Sequence, residues 1–311
     1  MLAPISWLAG PSGSSGASLV PRTARNPIPG TSCTLFPSND IWNTDISKAP
    51  VNAKSATWLA SMSSSTTKLH PDFGRPPYGI PYAVVDNAHA TVSVTFQYAS
   101  ESDPGPYPFG SDIPLEQGSD QHALMVNRDT CILYELYAAN WNNGKPTAGS
   151  GAIWQLASNA LRPNGWTSAD AAGLPILPGL VRYDEVKKGF IGHAIRFTAR
   201  CTSRSHLWPA RHDAGQSNTT CPPMGARFRL KAGYDISTFA PQVQVVLKAM
   251  KHYGLILADN GSNWYFQGTE DSRWTDQILD QLKQVPASAF VAIDESGLMV
   301  DPNSGQAKPC C

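Results

Sequence analysis

Apolar and polar residues alternate most cleanly in two stretches of the chain. In GIPYAVVDNAHATVSVTFQYA (79–99), Val92, Val94 and Phe96 face one way and Thr91, Ser93, Thr95 and Gln97 the other. That period of two predicts a half-buried strand after a turn at Asp86-Asn87. GSDQHALMVNRDTCILYELYAANW (118–141) reads as two apolar runs folded about a polar turn, a β-hairpin. Further strands are expected at 192–201 and 226–234, with short ones at LILADN and NWYFQG. The period changes to helical at about 52–62, at 241–254 and at 271–285. Pro241 suits a helix start and Gly254 a stop, with Val243, Val246, Leu247 and Met250 as the stripe between. The last helix carries Trp274, Ile278, Leu279 and Leu282 on its apolar face. Loops are expected at 63–67 and at the Pro- and Gly-dense 101–118. The stretch from 143 to 186 is irregular, with one helical turn at Ser168-Ala-Asp-Ala-Ala. Short strands between Gly/Pro loops predict a mainly β fold with decorating helices. The expected core is a β-sandwich, jelly-roll-like or barrel, with two C-terminal amphipathic helices. Nothing forces a division, so residues 31–298 are expected as one domain and 299–311 as a tail.

The hairpin carries polar residues where Val or Thr would have sufficed. With the turn at Arg128-Asp129, His122 would lie opposite Glu135 and Asp120 opposite Tyr137. One face then holds Asp120, His122, Leu124 and Val126 against Cys131, Leu133, Glu135 and Tyr137, apolar at the turn and polar at the open end. Directly opposed side chains are close enough for His122 and Glu135 to hydrogen-bond. An imidazole beside a carboxylate on an apolar face is material for acid–base chemistry, with Tyr137 as a further donor. The plainer alternative is a structural cross-strand pair on a half-solvated sheet.

His193 shares its strand face with Ile191, Ile195 and Phe197, which fits a core histidine or a third member of a His122–Glu135 site. Arg196 points the other way on that strand and is a candidate substrate contact. Asp184 and Glu185 in RYDEV face opposite sides if extended, so only one can join a cleft. His206 and His212 lie in a loop and are expected to be solvated. Trp141, Trp154, Trp166 and Trp208 sit in or beside irregular segments. Loop aromatics either pack on sugar C–H faces or anchor long loops to the body.

Composition narrows the class. Charged residues are 15% of the 311, and Lys plus Arg balance Asp plus Glu at 24 each, so nothing resembles a nucleic-acid-binding surface. No apolar run approaches the roughly 18 residues of a membrane span. Six cysteines form no CxxC pair, so a thiolate zinc site is not expected. Cys201 and Cys221 bracket a polar loop and Cys33 can staple the N-terminal segment to Cys131, one of 15 connectivities. Disulfides, two N-x-S/T sequons at Asn218 and Asn260, low charge, nine Trp, 25 Gly and 26 Pro together point to an extracellular protein. Residues 1–30 read as a leader, linker or tag remnant.

The runs GSDQHALMVNRDTCILYELY, SGAIWQLASNALRPNGWTSADAAGLPILPGLVRYDEV, GHAIRFT, WPARH, PPMGARFRLKA and YGLILADNGSNWYFQG resemble a family of secreted microbial proteins without an established activity. The resemblance covers most of residues 33–293 and implies no reaction, cofactor or catalytic residue. No GxSxG elbow, HExxH or P-loop is present. The expected function is therefore a secreted enzyme cleaving a polysaccharide at the open end of the hairpin. Hydrolysis would use Glu135 with Asp120 or Asp184. Elimination would use His122, Tyr137 or His193. The alternatives are a divalent-metal site of His122, Glu135 and His193, or a non-catalytic glycan-binding surface. No other cofactor is implied.

Overall fold

The computed structural model describes residues 26–310. Most of the expected leader, 1–25, lies outside the described residues, but Ile28 is already in the core and the Asn26 amide donates to the Phe190 carbonyl. The fold is mainly β, with a curled, half-barrel sheet and several helices, and among the described residues no helix is long and apolar enough to cross a membrane.

A mixed six-stranded sheet runs in the order His70–Asp72, Tyr265–Gln267, Ile195–Ala199, Leu255–Asn260, Arg227–Leu230, Phe290–Ala292. Ile195–Ala199 and Leu255–Asn260 are parallel neighbours, which requires a crossover. The helix Pro241–His252 lies in that connection and buries Val243, Val246, Leu247 and Met250. Pro241 opens it, and Gly254, at φ +72°, turns the chain into the next strand. The last helix is shorter than its apolar pattern, Asp276–Leu282, because Thr275 caps it by accepting from the Ile278 amide.

A second sheet orders Ala83–Val85, Ala123–Asn127, Ile132–Tyr137 and Ser150–Gln155. Both its faces are covered. Leu124, Val126 and Leu133 join the main core, while Met125 and Leu136 join a smaller one with Val94, Tyr107 and Phe109. That double burial decides the fate of the hairpin's polar residues, because neither face is left half-solvated.

Several expectations change. The 91–97 segment alternates in burial as read, but it joins a ladder only at Thr95–Phe96, with Val92 making an isolated bridge to Tyr107. The hairpin register is offset by two residues. Leu124, not His122, lies opposite Glu135, because the loop runs from Arg128 to Cys131 with Cys131 at φ +52°. A shift of two leaves every side chain on its expected face. RYDEV is not extended but opens the helix Tyr183–Lys188, with Asp184 and Glu185 in its first turn and Gly189 at φ +83° closing it. The expected tail packs on the body: Asp40 bridges to Gln306, and Trp208 Nε1 donates to the Ser304 carbonyl. Both expected disulfides are present, Cys33–Cys131 and Cys201–Cys221.

Candidate functional site

Where the open end of the hairpin meets the C-terminal end of strand Leu255–Asn260, a cleft of about 510 Å³ opens to solvent. Asp120 and Tyr137 reach it from the hairpin, Asp259 and Asn260 from the strand end, and Asp170 from the 167–174 turn. Glu101 enters from the short 3-10 helix Ala99–Glu101 and His212 from a loop, and Tyr98, 47% exposed, flanks the mouth.

The floor is a pair of aspartates around one guanidinium. Arg196 is fully buried, and its Nη2 lies 3.4 Å from Asp170 Oδ2 and 3.8 Å from Asp259 Oδ2. Its other amino group donates to Gln267. Asp170 is held by a tight turn rather than the expected helical one. Its Oδ1 accepts from the amides of Ala172 (2.9 Å) and Leu174 (3.1 Å), while the Ser168 hydroxyl donates to the Leu174 carbonyl at 2.5 Å. Gly173 sits at φ +68° in this turn, and a β-carbon there would meet the Trp166 carbonyl oxygen at 2.4 Å. Asp259 differs in access, with 27% of its side chain exposed to the cleft against none for Asp170. Its Oδ1 accepts from the Asn260 amide at 2.7 Å and its Oδ2 from Ala171 N at 3.4 Å.

Burial raises both carboxyls, and the Arg196 charge only partly offsets it. Asp170 is pushed up to about 7, helped by the Asp259 charge beside it. Two carboxyls in this relation titrate as a unit that retains a proton where an ordinary aspartate has none. The Tyr137 phenol is also raised, by burial first and then by Asp120 and Asp259.

The other wall pairs His212 with Glu101. His212 Nδ1 lies 2.8 Å from the Ala171 carbonyl, and its Nε2 stands 3.7 Å from Glu101 Oε2. Glu101 is fixed by accepting from the Thr167 amide at 3.0 Å. Ala171 thus touches Asp259 through its amide and His212 through its carbonyl.

His122, Glu135 and His193 do not converge. Glu135 is wholly buried and accepts from the Leu177 amide (2.9 Å), the Ile176 amide (2.9 Å) and Trp154 Nε1 (3.0 Å), tying the hairpin to the 176–177 segment. Burial raises its carboxyl, against the pull of those three donors. His122 holds Glu116 through Nδ1 and the Ala169 carbonyl through Nε2 at 3.0 Å. Burial works against the His122 cation, but Glu116 more than compensates and the imidazole is raised. His193 pairs with Glu185 at 3.1 Å and with the Ala194 carbonyl, and Arg182 completes this buried network away from the cleft. Among the described residues no group of three or more His, Cys, Asp or Glu is placed to hold a metal ion.

Asp184 pairs with Arg182 at 3.2 Å on the helix and is not a cleft residue. Arg196, read as a substrate contact, stands behind the aspartates with no exposed surface. None of the four loop tryptophans lines the cleft. Trp141 packs edge-on against Phe109, Trp154 binds Glu135, Trp166 lies under the Arg162 guanidinium, and Trp208 anchors the C-terminal segment. Both sequon asparagines are exposed, Asn218 in its loop and Asn260 on the cleft wall, where its Oδ1 accepts from Thr202 at 2.6 Å.

Asp170, Asp259, Glu101 and His212 were not legible as a site. Asp259 had one local signal, a carboxylate closing the apolar run LILA just before Asn-Gly. Ligands gather at such C-terminal strand ends in open sheets with parallel strands. No protein-family model matches the chain, and comparison with curated proteins and with solved structures returns no match.

Proposed function

We propose that this is an extracellular glycoside hydrolase, with the cleft as its active site and Asp259 as the general acid. The observation that carries the reading is the Asp170–Asp259 pair at the floor of an open cleft, two carboxyls of unequal exposure sharing one buried arginine. Glycosidic cleavage needs a carboxylic acid still protonated near neutral pH, facing the leaving oxygen. Burial raises the Asp259 carboxyl, and its exposure to the cleft lets it meet the leaving oxygen. Asp170, saturated by two amides and Arg196, is placed to keep the pair's charge and proton in position rather than to reach substrate.

Hydrolysis is favoured over elimination by the charge of the walls. Elimination from a uronic acid sugar needs a cation or amide neutralising the substrate carboxylate. Among the described residues no lysine or arginine lines the cleft and Asn260 supplies the one side-chain amide, while the accessible carboxylates Glu101, Asp120 and Asp259 would repel a uronate. Those walls favour neutral or amino sugars, and the Tyr98 and Tyr137 rings offer flat faces for sugar C–H surfaces. The two disulfides support an oxidising, extracellular setting.

The test is product release from a panel of neutral, amino-sugar and acidic polysaccharides, followed as reducing ends and as absorbance near 235 nm. Reducing ends without the unsaturated chromophore are expected. Both signals together would replace hydrolysis by elimination, and silence on every glycan would leave a binding cleft without turnover.

A further inference from the structure

Resting on the hydrolase reading, we propose that His212 and Glu101 hold the attacking water, and that cleavage inverts the anomeric configuration. The argument begins with hydrogen-bond roles. A backbone carbonyl only accepts, so the 2.8 Å contact to the Ala171 oxygen requires the proton on His212 Nδ1. In its neutral form the imidazole then presents a lone pair at Nε2.

That lone pair faces Glu101 Oε2 at 3.7 Å. Two acceptors cannot bond to each other, and this spacing leaves room for an oxygen about 2.8 Å from both, the ordinary hydrogen-bond length. The species that satisfies both acceptors at one oxygen is a molecule with two donor hydrogens, which water is. Glu101 is itself oriented by the Thr167 amide, so the two acceptors keep their spacing. Both residues line the same cleft as Asp259, and His212 and Asp259 are attached to the carbonyl and amide of one residue, Ala171.

The step balances as follows. The water O–H proton passes to His212 Nε2 as the oxygen forms its bond to the anomeric carbon. The bond from that carbon to the glycosidic oxygen breaks with its electron pair going to oxygen, which takes the proton of Asp259. One water is consumed, and His212 returns its proton to the Asp170–Asp259 pair through solvent. A base acting on water from one side and an acid on the leaving group from the other is the inverting arrangement.

Two measurements on the parent protein decide the matter without any variant. Early-time proton NMR of the product from the glycan cleaved fastest should show the inverted anomer, and the retained anomer overturns the proposal in favour of a carboxylate nucleophile. Imidazole nitrogen-15 shifts should show the neutral His212 ring as the Nδ1–H tautomer, whereas the Nε2–H tautomer overturns the proposal. Substitution adds the magnitude. His212→Asn should lower kcat by about 10²–10⁴-fold with KM near the parent's, and added imidazole should restore part of the rate to His212→Ala. Parental kcat in His212→Asn together with loss of turnover in Asp259→Asn would sink the water site and leave the hydrolase reading standing. If Asp259→Asn keeps parental turnover, the hydrolase reading falls and this proposal with it.

Discussion

Glu135 and Asp259 are both carboxylates enclosed by the same fold, and burial raises both. They differ in what else surrounds them. Glu135 has three donors on its two oxygens, no exposed surface, and a position between two packed cores. Asp259 shares its arginine with a second aspartate and keeps about a quarter of its side chain open to a cleft. Perturbed ionisation therefore marks both places, and only access separates a structural carboxylate from one that can meet a substrate. The histidines repeat the contrast. His122 and His193, themselves buried, spend both ring nitrogens on protein partners, whereas His212 spends one and turns the other to the cleft.

The contrast breaks most forcefully at Glu135. Glu135→Ala leaves three buried donors without an acceptor and should cost upwards of about 3 kcal/mol, read from urea unfolding. Glu135→Gln should cost about 1–3 kcal/mol while preserving turnover per folded molecule. A Glu135→Gln protein that is stable but inactive would reverse the assignment of the two carboxylates.

A smaller effect should appear in the pH dependence of stability. The raised Asp170–Asp259 pair holds a proton in the folded chain that the unfolded chain releases at ordinary carboxylate values. Stability from that difference is full below the unfolded range near pH 4 and is lost as pH rises through the raised Asp170 value of about 7. Thermal melts between pH 4 and 8 should therefore decline with rising pH more steeply in the parent than in Asp259→Asn. Glu295, also raised to about 7 by burial beside Arg227, acts alike in both proteins and drops out of the difference. Parallel Tm curves for parent and variant would deny the pair its shared proton.

The smallest effect concerns the loop tryptophans. Trp166 lies under Arg162, 5.5 Å from guanidinium carbon to ring centroid, so Trp166→Leu should cost about 1 kcal/mol of stability. KM for any cleaved glycan should not move. A raised KM at parental stability would return Trp166 to the binding surface.

How much of this was legible follows from where the information lies along the chain. Helix Pro241–His252 was plain because its stripe, its Pro start and its Gly stop are local. The polar loop between Cys201 and Cys221 suggested that pairing, whereas Cys33–Cys131 was a guess among 15 connectivities; both bonds are present. The place of the cleft was half legible, since Asp120 and Tyr137 mark the open end of the hairpin and do line it. Its chemistry was not. Alternation assigns residues to faces, but it does not say that a second core covers the other face, so Glu135 read as exposed to a cleft when it is sealed. Asp170 and Asp259 stand 89 positions apart and meet only because strand Leu255–Asn260 pairs in parallel with Ile195–Ala199, which supplies Arg196. His212 looked like a solvated loop residue because its partners, Ala171 and Glu101, lie 41 and 111 positions away in sequence.

The most direct test of the account is kcat/KM for Asp259→Asn on the glycan the parent cleaves fastest, measured at pH 7 beside a thermal melt. The account predicts a loss of at least about 10²-fold in a protein that melts no lower than the parent. Parental turnover in the folded variant would contradict it and remove Asp259 from the chemistry.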